Sequence, residues 1–457
     1  MKLVIFGTGQ YWEVRQDFFM GHCIIAFLDN DSSKWGNYVN SVKIMPVERV
    51  SGLDFDKIVL MSNAVNEMKK QLMELHQIEE NKIVTYEELC EQNDIYAIKT
   101  YVRKRDLAIK PKVLIAIGGM IYCGGSVVAY NTAKSFYQKG YEVVIYTQVN
   151  DDIFINELIA EGFTVVIDTL YWNKKTELNQ EQINWLMQFE YVIVQCLQAV
   201  SLVEIFQRYT KVYWWIHEPQ YAYNKYLDAL ELVKKWNRVQ IMFVSTVAQK
   251  AFFTEKFEIN SRIIPFGIPD TWNTGGVITR RKKIVMAMIA SINENKGQLV
   301  FLQALMKLRR SHIERCEVLL IGAQGKNEYC RQVKALAASI QQVRLLGVLS
   351  KREIEKLENS IDVFAILSLQ ETMSVVAVEG MMNHGICIVS NSAGIAEYVQ
   401  DGVNGFRCNP TDVNGISTRL DDIISKYDNY HVIRDNARKT YEKYFALENI
   451  SKEIMDM

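Results

Sequence analysis

Two glutamates, Glu371 and Glu379, stand in the stretch LSLQETMSVVAVEGMMNHG, which is otherwise mostly apolar and small. Glu371 follows a short apolar run that predicts a strand. Thr372 or Ser374 is then placed to cap the helix that follows, accepting from its first amides. Glu379 falls one to two turns into that helix, among Ala377, Val378 and Gly380. Burying a carboxylate without a partner costs on the order of several kcal/mol. A ligand with vicinal hydroxyls, such as ribose, would meet that cost; a cap at Glu371 and a salt bridge at Glu379 are the plainer alternatives.

Three other places carry chemistry of the same kind. In SINENKGQLVF, Lys296 and Gly297 occupy a loop between a strand and a helix. The helix dipole does not favour a lysine at a helix start, so Lys296 needs solvent or an anion such as a diphosphate. In KVYWWIHEPQ, His217 comes where a very apolar strand should end. Its imidazole can hydrogen-bond a sugar hydroxyl or serve the fold alone. In GGMIYCGGSVVAYNTAK, Gly124 and Gly125 open a helix. There the backbone can approach a phosphate or sugar closely, or simply flex.

The elements that position these residues fall into three α/β blocks. Residues 1–97 alternate KLVIF, CIIAFLD and KIVLM with helical stretches, a βαβ pattern implying a parallel sheet. A basic linker is expected over 98–111, carrying Lys99, Arg103, Lys104, Arg105 and Lys110. A second block, 112–272, starts with KVLIAIG and runs through EVVIYT, YVIVQCL, KVYWWIH and QIMFVS to IIPFGIPD. A hinge is expected in TWNTGGVITRRKK. A third block, 283–430, holds KIVMAMIAS, EVLLIG, DVFAILSL and CIVSNSAG, and helices fill 431–457. Two similar halves imply a cleft, with ligands beyond the carboxyl ends of the strands.

Composition excludes several classes. A formal net charge of −1 gives no global basic field, so nucleic acid is not an expected partner. None of the eight cysteines has C-x-x-C spacing, which argues against zinc ribbons and redox dithiols and for reduced, buried thiols. The apolar run at the N-terminus is too short for a signal peptide. No uncharged run approaches the roughly 18 residues of a spanning helix. The expected location is the cytoplasm, with association to the inner face of the cell membrane left open.

Together, the E-x(7)-E pair at Glu371 and Glu379, the Lys296-Gly297 loop, the Gly124-Gly125 loop and His217 resemble glycosyltransferase family 4. IIPFGIPD and SAGIAEYVQDGVNGF strengthen the likeness, which covers roughly residues 112–430. The resemblance implies a GT-B fold, two Rossmann-like domains facing a cleft, here preceded by a third small Rossmann-like domain. It implies a retaining hexosyltransferase using a nucleotide sugar, with no cofactor and no metal. Glu379 would bind the ribose, Glu371 the transferred sugar, and Lys296 the diphosphate. Amides near Met373 and Ser374 would hold the distal phosphate, with Thr372 a further donor contact. Gly124 and Gly125 would close on the phosphates, and His217 would face the reaction centre. Two departures stand out: Ser291 occupies the place of the family's second diphosphate cation, an arginine, leaving Arg281 or Lys282 as substitutes. Thr372-Met373-Ser374 replaces a glycine-rich segment. A nucleotide-sugar epimerase and an inactive partner subunit stay open beside the transferase.

The first block resembles small Rossmann-like domains on bacterial polysaccharide-biosynthesis enzymes. Gly7 and Gly9 follow its first strand and Asp29 ends its second, as in a dinucleotide site, but Trp12 replaces the third glycine. The expected partners are a nucleotide sugar and a glycan or lipid-linked acceptor. Contact with an anionic membrane through the linker lysines and arginines, a homo-oligomer and a partner glycosyltransferase are further options.

Overall fold

The structure, a computed structural model, describes the chain apart from residues 14, 20–21, 40, 93–97, 102–109, 121–123, 151, 169–177, 179, 220–221, 223–232, 254–259 and 273–282. Three sheets organise it. Strands β1 (Lys2–Phe6), β2 (Cys23–Leu28), β3 (Tyr38–Val39), β4 (Val42–Met45), β5 (Lys57–Leu60) and β6 (Ile83–Thr85) form the first, in the order β3-β4-β2-β1-β5-β6. All its pairs are parallel except β3 with β4. Val4 and Phe6 of β1, Ala26 and Leu28 of β2 and Ile58 and Leu60 of β5 share one core, as alternate residues of parallel strands must.

The second sheet comprises β7 (Ile98–Tyr101), β8 (Lys112–Met120), β9 (Glu142–Asn150), β10 (Thr164–Asp168), β11 (Tyr191–Gln195), β12 (Val212–Ile216), β13 (Val239–Phe243) and β14 (Ser261–Ile263). Its order is β14-β13-β12-β11-β8-β9-β10-β7. Here the expected linker differs from the structure. Ile98–Tyr101 is a strand, paired antiparallel with Asp168–Val165 at the sheet edge. Arg103, Lys104 and Arg105 lie outside the described residues, as do most of the expected hinge, Arg281 and Lys282.

The third sheet is parallel throughout: β15 (Ile284–Ile289), β16 (Cys316–Ile321), β17 (Val343–Gly347), β18 (Val363–Ile366), β19 (Ile386–Ser390) and β20 (Phe406–Cys408), in the order β17-β16-β15-β18-β19-β20. The order reverses between β15 and β18, so this is the switch point where α/β sheets bind ligands. The helices that matter are α1 (Gly124–Gln138), α2 (Gln298–Met306), α3 (Lys351–Glu358), α4 (Val375–Met382), α5 (His431–Tyr444) and α6 (Leu447–Met455). Ile284, Met286 and Met288 of β15 pack with Phe301, Leu302 and Leu305 of α2 in one hydrophobic core.

The chain forms two compact units, one of Met1–Ser126, Tyr141–Val194 and Gln198–Val212, the other of Val127–Gly140, Gln195–Leu197 and Tyr213–Met457. Within the second, α6 packs on α1: the Ser451 amide donates to Ser135 Oγ at 3.1 Å, and Ser135 Oγ donates to Ser451 Oγ at 2.8 Å. Just before α6, the Ile268 amide donates to the Phe445 carbonyl at 2.9 Å. Among the described residues, seven cysteines are free thiols, and no helix is long and apolar enough to cross a membrane.

Candidate active site

The ends of β15 and β18 deliver the main residues. After β18, Leu367 and Ser368 stay buried and the chain turns outward at Leu369. After β15, a short turn carries Asn295 and Lys296 to the same place. The two loops are joined by Asn295, whose Nδ2 donates to the Gln370 carbonyl at 2.9 Å. Its Oδ1 accepts from the Gln370 amide at 2.9 Å, and its carbonyl accepts from the Leu369 amide at 2.8 Å. Gly297 then turns the chain into α2 with φ +74°, and a Cβ there would sit 2.7 Å from the Leu367 carbonyl oxygen. Only glycine suits both the left-handed backbone and that approach.

This fixes Lys296 against Glu371. Its ammonium donates to Glu371 Oε2, which also accepts from Ser368 Oγ at 3.2 Å. Both side chains stay partly exposed, at 26% and 20%. They border a cavity of about 120 Å³ lined also by Ala290, Ser368, Val375 and Val376. The first turn of α4 opens onto that cavity. Ser374 caps the helix by accepting from the Ala377 amide at 3.3 Å, while amides at a helix start lack partners inside the helix. A lysine with three donors, a carboxylate and a helix N-terminus around one small cavity suit an anion flanked by hydroxyls.

The side chains of Thr372, Met373 and Ser374 also have places within the chain. Thr372 Oγ1 donates to the His217 carbonyl at 2.6 Å, and Ser245 Oγ donates to the Thr372 carbonyl. Met373 is buried, and the Ser374 hydroxyl is the helix cap. Ser291 Oγ accepts from Asn293 Nδ2 at 2.9 Å, so its hydroxyl shapes the loop.

His217 lies at the end of β12, its ring 5.0 Å from that of Trp215. The residue keeps some exposure, yet Nε2 is buried with no hydrogen-bond partner among the described residues. Burial lowers the imidazole to about 3, so it is neutral at physiological pH. Glu218 beside it, which the sequence reading passed over, accepts from the Leu197 amide at 2.8 Å and the His217 amide at 3.0 Å. Burial raises its carboxyl against the opposing pull of those bonds. Cys196, next to Leu197, adopts φ +73°, a strained backbone for a cysteine held by this same corner.

Glu379 has a second acid for a neighbour. Glu358, at the end of α3, is 1% exposed, and its carboxyl is close enough to that of Glu379 for their charges to act on each other. Burial raises both carboxyls, and Glu358 is pushed up to about 10. The salt bridge weighed for Glu379 is therefore replaced by a pair of acids.

Gly124 and Gly125 begin α1 in the first unit, and the space over Gly124 is open. In the N-terminal block each residue of the dinucleotide-like pattern except Gly9 has a partner in the chain. Asp29 Oδ2 accepts from the Thr8 amide at 3.0 Å, from Thr8 Oγ1 and from Lys34 Nζ at 2.9 Å, while Oδ1 accepts from the Asp31 amide. Gly7, at φ +106°, is filled by the Met61 carbonyl 2.6 Å from its Cβ position. Trp12 packs on Phe19 and Phe27 at 5.3 and 4.9 Å. Gly9 has open space above it.

Asn295 carries a prediction of its own. Asn295→Ala removes two side-chain hydrogen bonds, each worth about 1 kcal/mol. It is expected to lower stability by about 1–2 kcal/mol in urea unfolding, and an unchanged midpoint would refute its tethering role.

The three sheets and the site at the β15/β18 switch point define a GT-B fold preceded by an additional α/β domain. Residues 277–440 match the family described as glycosyl transferases group 1, and residues 1–84 match one described as C2185-like, N-terminal. The chain is 26% identical over 174 residues to an uncharacterized glycosyltransferase of Methanocaldococcus jannaschii, covering 38% of this chain and 44% of that protein. A Haemophilus influenzae uncharacterized glycosyltransferase is 21% identical over 339 residues, 71% of this chain and 93% of the other. Among solved structures, Anabaena HepE in complex with UDP and glucose superposes with a TM-score of 0.62 at 17% identity, over 76% of this chain and 98% of that one. The match spans less than half the length of the first curated relatives, at 44%, 28% and 48%. The chain thus has a GT-B fold whose residues 277–440 are similar to the glycosyl transferases group 1 family.

Proposed function

We propose that the protein is a retaining glycosyltransferase. It moves a hexose from a nucleotide-sugar donor to a glycan or lipid-linked acceptor in cell-surface polysaccharide synthesis. The observation that carries this reading is the meeting of Lys296, Glu371 and the start of α4 around one cavity. Lys296 and the α4 amides face the negative charge that grows on the diphosphate as the anomeric bond breaks. Glu371 accepts from sugar hydroxyls, Glu379 from the ribose, and His217 Nε2 faces a hydroxyl near the reaction centre. The acceptor oxygen bonds to the anomeric carbon on the face the diphosphate leaves. The diphosphate takes the bonding electron pair, and the acceptor proton passes to its phosphate oxygen. UDP as the donor nucleotide draws support from the HepE structure with UDP and glucose.

A panel of UDP-, GDP-, dTDP- and ADP-sugars, scored by thermal shift and donor hydrolysis, tests the reading. One donor class is expected to raise the melting temperature and to be turned over, with rates unchanged by EDTA. A ligand that binds only the native state raises its stability by mass action. Binding without any turnover would move the chain to a partner subunit. Production of an epimeric nucleotide sugar without acceptor would make it an epimerase.

A further inference from the structure

We propose that Thr372 is a positioning residue that acts through His217: its hydroxyl holds the His217 carbonyl and so aims the imidazole. The proposal rests on the reading of His217 as the residue that faces a hydroxyl near the reaction centre. His217 is the first residue beyond β12, and the sheet releases it there. The Val244 amide still donates to the Ile216 carbonyl, at 3.2 Å. One residue later, side chains take over from the ladder. The His217 amide donates to Glu218 Oε2 at 3.0 Å, and the His217 carbonyl accepts from Thr372 Oγ1 at 2.6 Å. Backbone groups that leave a sheet away from water need such partners. The ring itself is held less firmly. It lies 5.0 Å from the Trp215 ring, and Nε2 meets no partner among the described residues. Its direction is therefore set from the backbone.

Thr372 is itself fixed so that it can give that bond. Its carbonyl accepts from Ser245 Oγ, and the Ala248 amide donates to the same hydroxyl at 3.3 Å. Ser245 stands just beyond β13, the neighbour of β12 in the sheet. The hydroxyl and the carbonyl of one residue thus reach the carboxyl ends of two adjacent strands. Glu371, one position earlier, is held without the Thr372 hydroxyl. Its carboxylate accepts from Lys296 and from Ser368 Oγ at 3.2 Å, and its carbonyl from the Gly394 amide at 2.9 Å. Removing the hydroxyl should therefore loosen His217 and leave Glu371 and Lys296 in place. A glycine at 372 would have no group to offer.

The test uses the full chain and the sugar nucleotide of the UDP, GDP, dTDP and ADP panel that is hydrolysed fastest. Thr372→Val, close in shape but without the hydroxyl, is expected to lower kcat by about tenfold or more. Donor KM should stay within about twofold, because a misaimed group costs rate rather than ground-state binding. Thr372→Ser keeps a hydroxyl and should recover most of the rate. A double-mutant cycle with His217→Ala then separates the routes. With the imidazole already gone, Thr372→Val should change kcat by less than about twofold, whereas a merely structural role would cost the same in both backgrounds. If no donor is turned over, or His217→Ala leaves kcat unchanged, the reading of His217 falls and takes the proposal with it. If His217→Ala lowers kcat, three results sink the proposal alone: Thr372→Val has no effect, raises KM only, or costs as much without the imidazole. Should Thr372→Val not fold by circular dichroism, Thr372→Ala, smaller and open to water at this partly exposed residue, carries the same cycle.

Discussion

Lys296→Met is expected to lower kcat by about 10²- to 10³-fold, the loss seen when one preorganised charge-stabilising donor is removed from an active site. The fold should scarcely notice. The Lys296 and Glu371 side chains are 26% and 20% exposed, and exposed ion pairs are worth about 1 kcal/mol or less. Gly297, which aims the loop, and Asn295, which ties it down, are untouched by the substitution. The effect should fall on kcat more than on donor KM, because the diphosphate gains charge as the bond breaks. Steady-state kinetics with the donor chosen from the panel, beside a melting curve, separates the two. A drop in kcat under about threefold would remove Lys296 from the catalytic machinery.

Gly394→Val is expected to damage fold and activity together. A Cβ at Gly394 would lie 1.9 Å from the Thr372 carbonyl oxygen and 2.6 Å from Ser245 Oγ. The Gly394 amide also donates to the Glu371 carbonyl at 2.9 Å. An added side chain must therefore displace the backbone that carries Glu371 and Thr372. Overpacking of this kind costs about 1–3 kcal/mol. Removing the hydroxyl with Ser245→Ala should not rescue the variant, since the closer atom is backbone. Gly52→Ala, with open space above it, is the control and should be nearly neutral. Urea unfolding and donor turnover measured on the same samples check the prediction. Normal stability with normal turnover would show that the 371–374 backbone yields at no cost.

Much of this arrangement was legible in the residues themselves. KLVIF, KIVMAMIAS and DVFAILSL read as strands because parallel strands covered on both faces are continuous apolar runs. Glu371 and Glu379 stood out because acids are rare in such surroundings. What stayed hidden depends on partners distant in sequence. Asn295 finds Gln370 75 positions away, and Ser245 finds Thr372 127 positions away. Nothing local marks either one. Glu358 did have a signal. In KREIEKLENSID it follows Ile354 by four positions and precedes Ile361 by three, on the apolar stripe of the helix. An acid on that stripe needs a reason, and the partner on α4 supplies one. The strand at Ile98–Tyr101 was masked for a different cause, because its basic neighbours dominate the composition of a short alternating segment.

The packing of α6 on α1 has a consequence for how the molecule is made. Ser135 meets Ser451 316 positions further along the chain. Ribosomes add about 5–20 residues per second, so α1 waits roughly 15–60 s for that partner to be synthesised. Throughout that interval the Ser135 hydroxyl and the residues beside it lack the surface that finally covers them. The second unit is therefore completed after translation of its last helix, not domain by domain as the chain emerges. The helix at Leu447–Met455 is the segment whose arrival covers that surface.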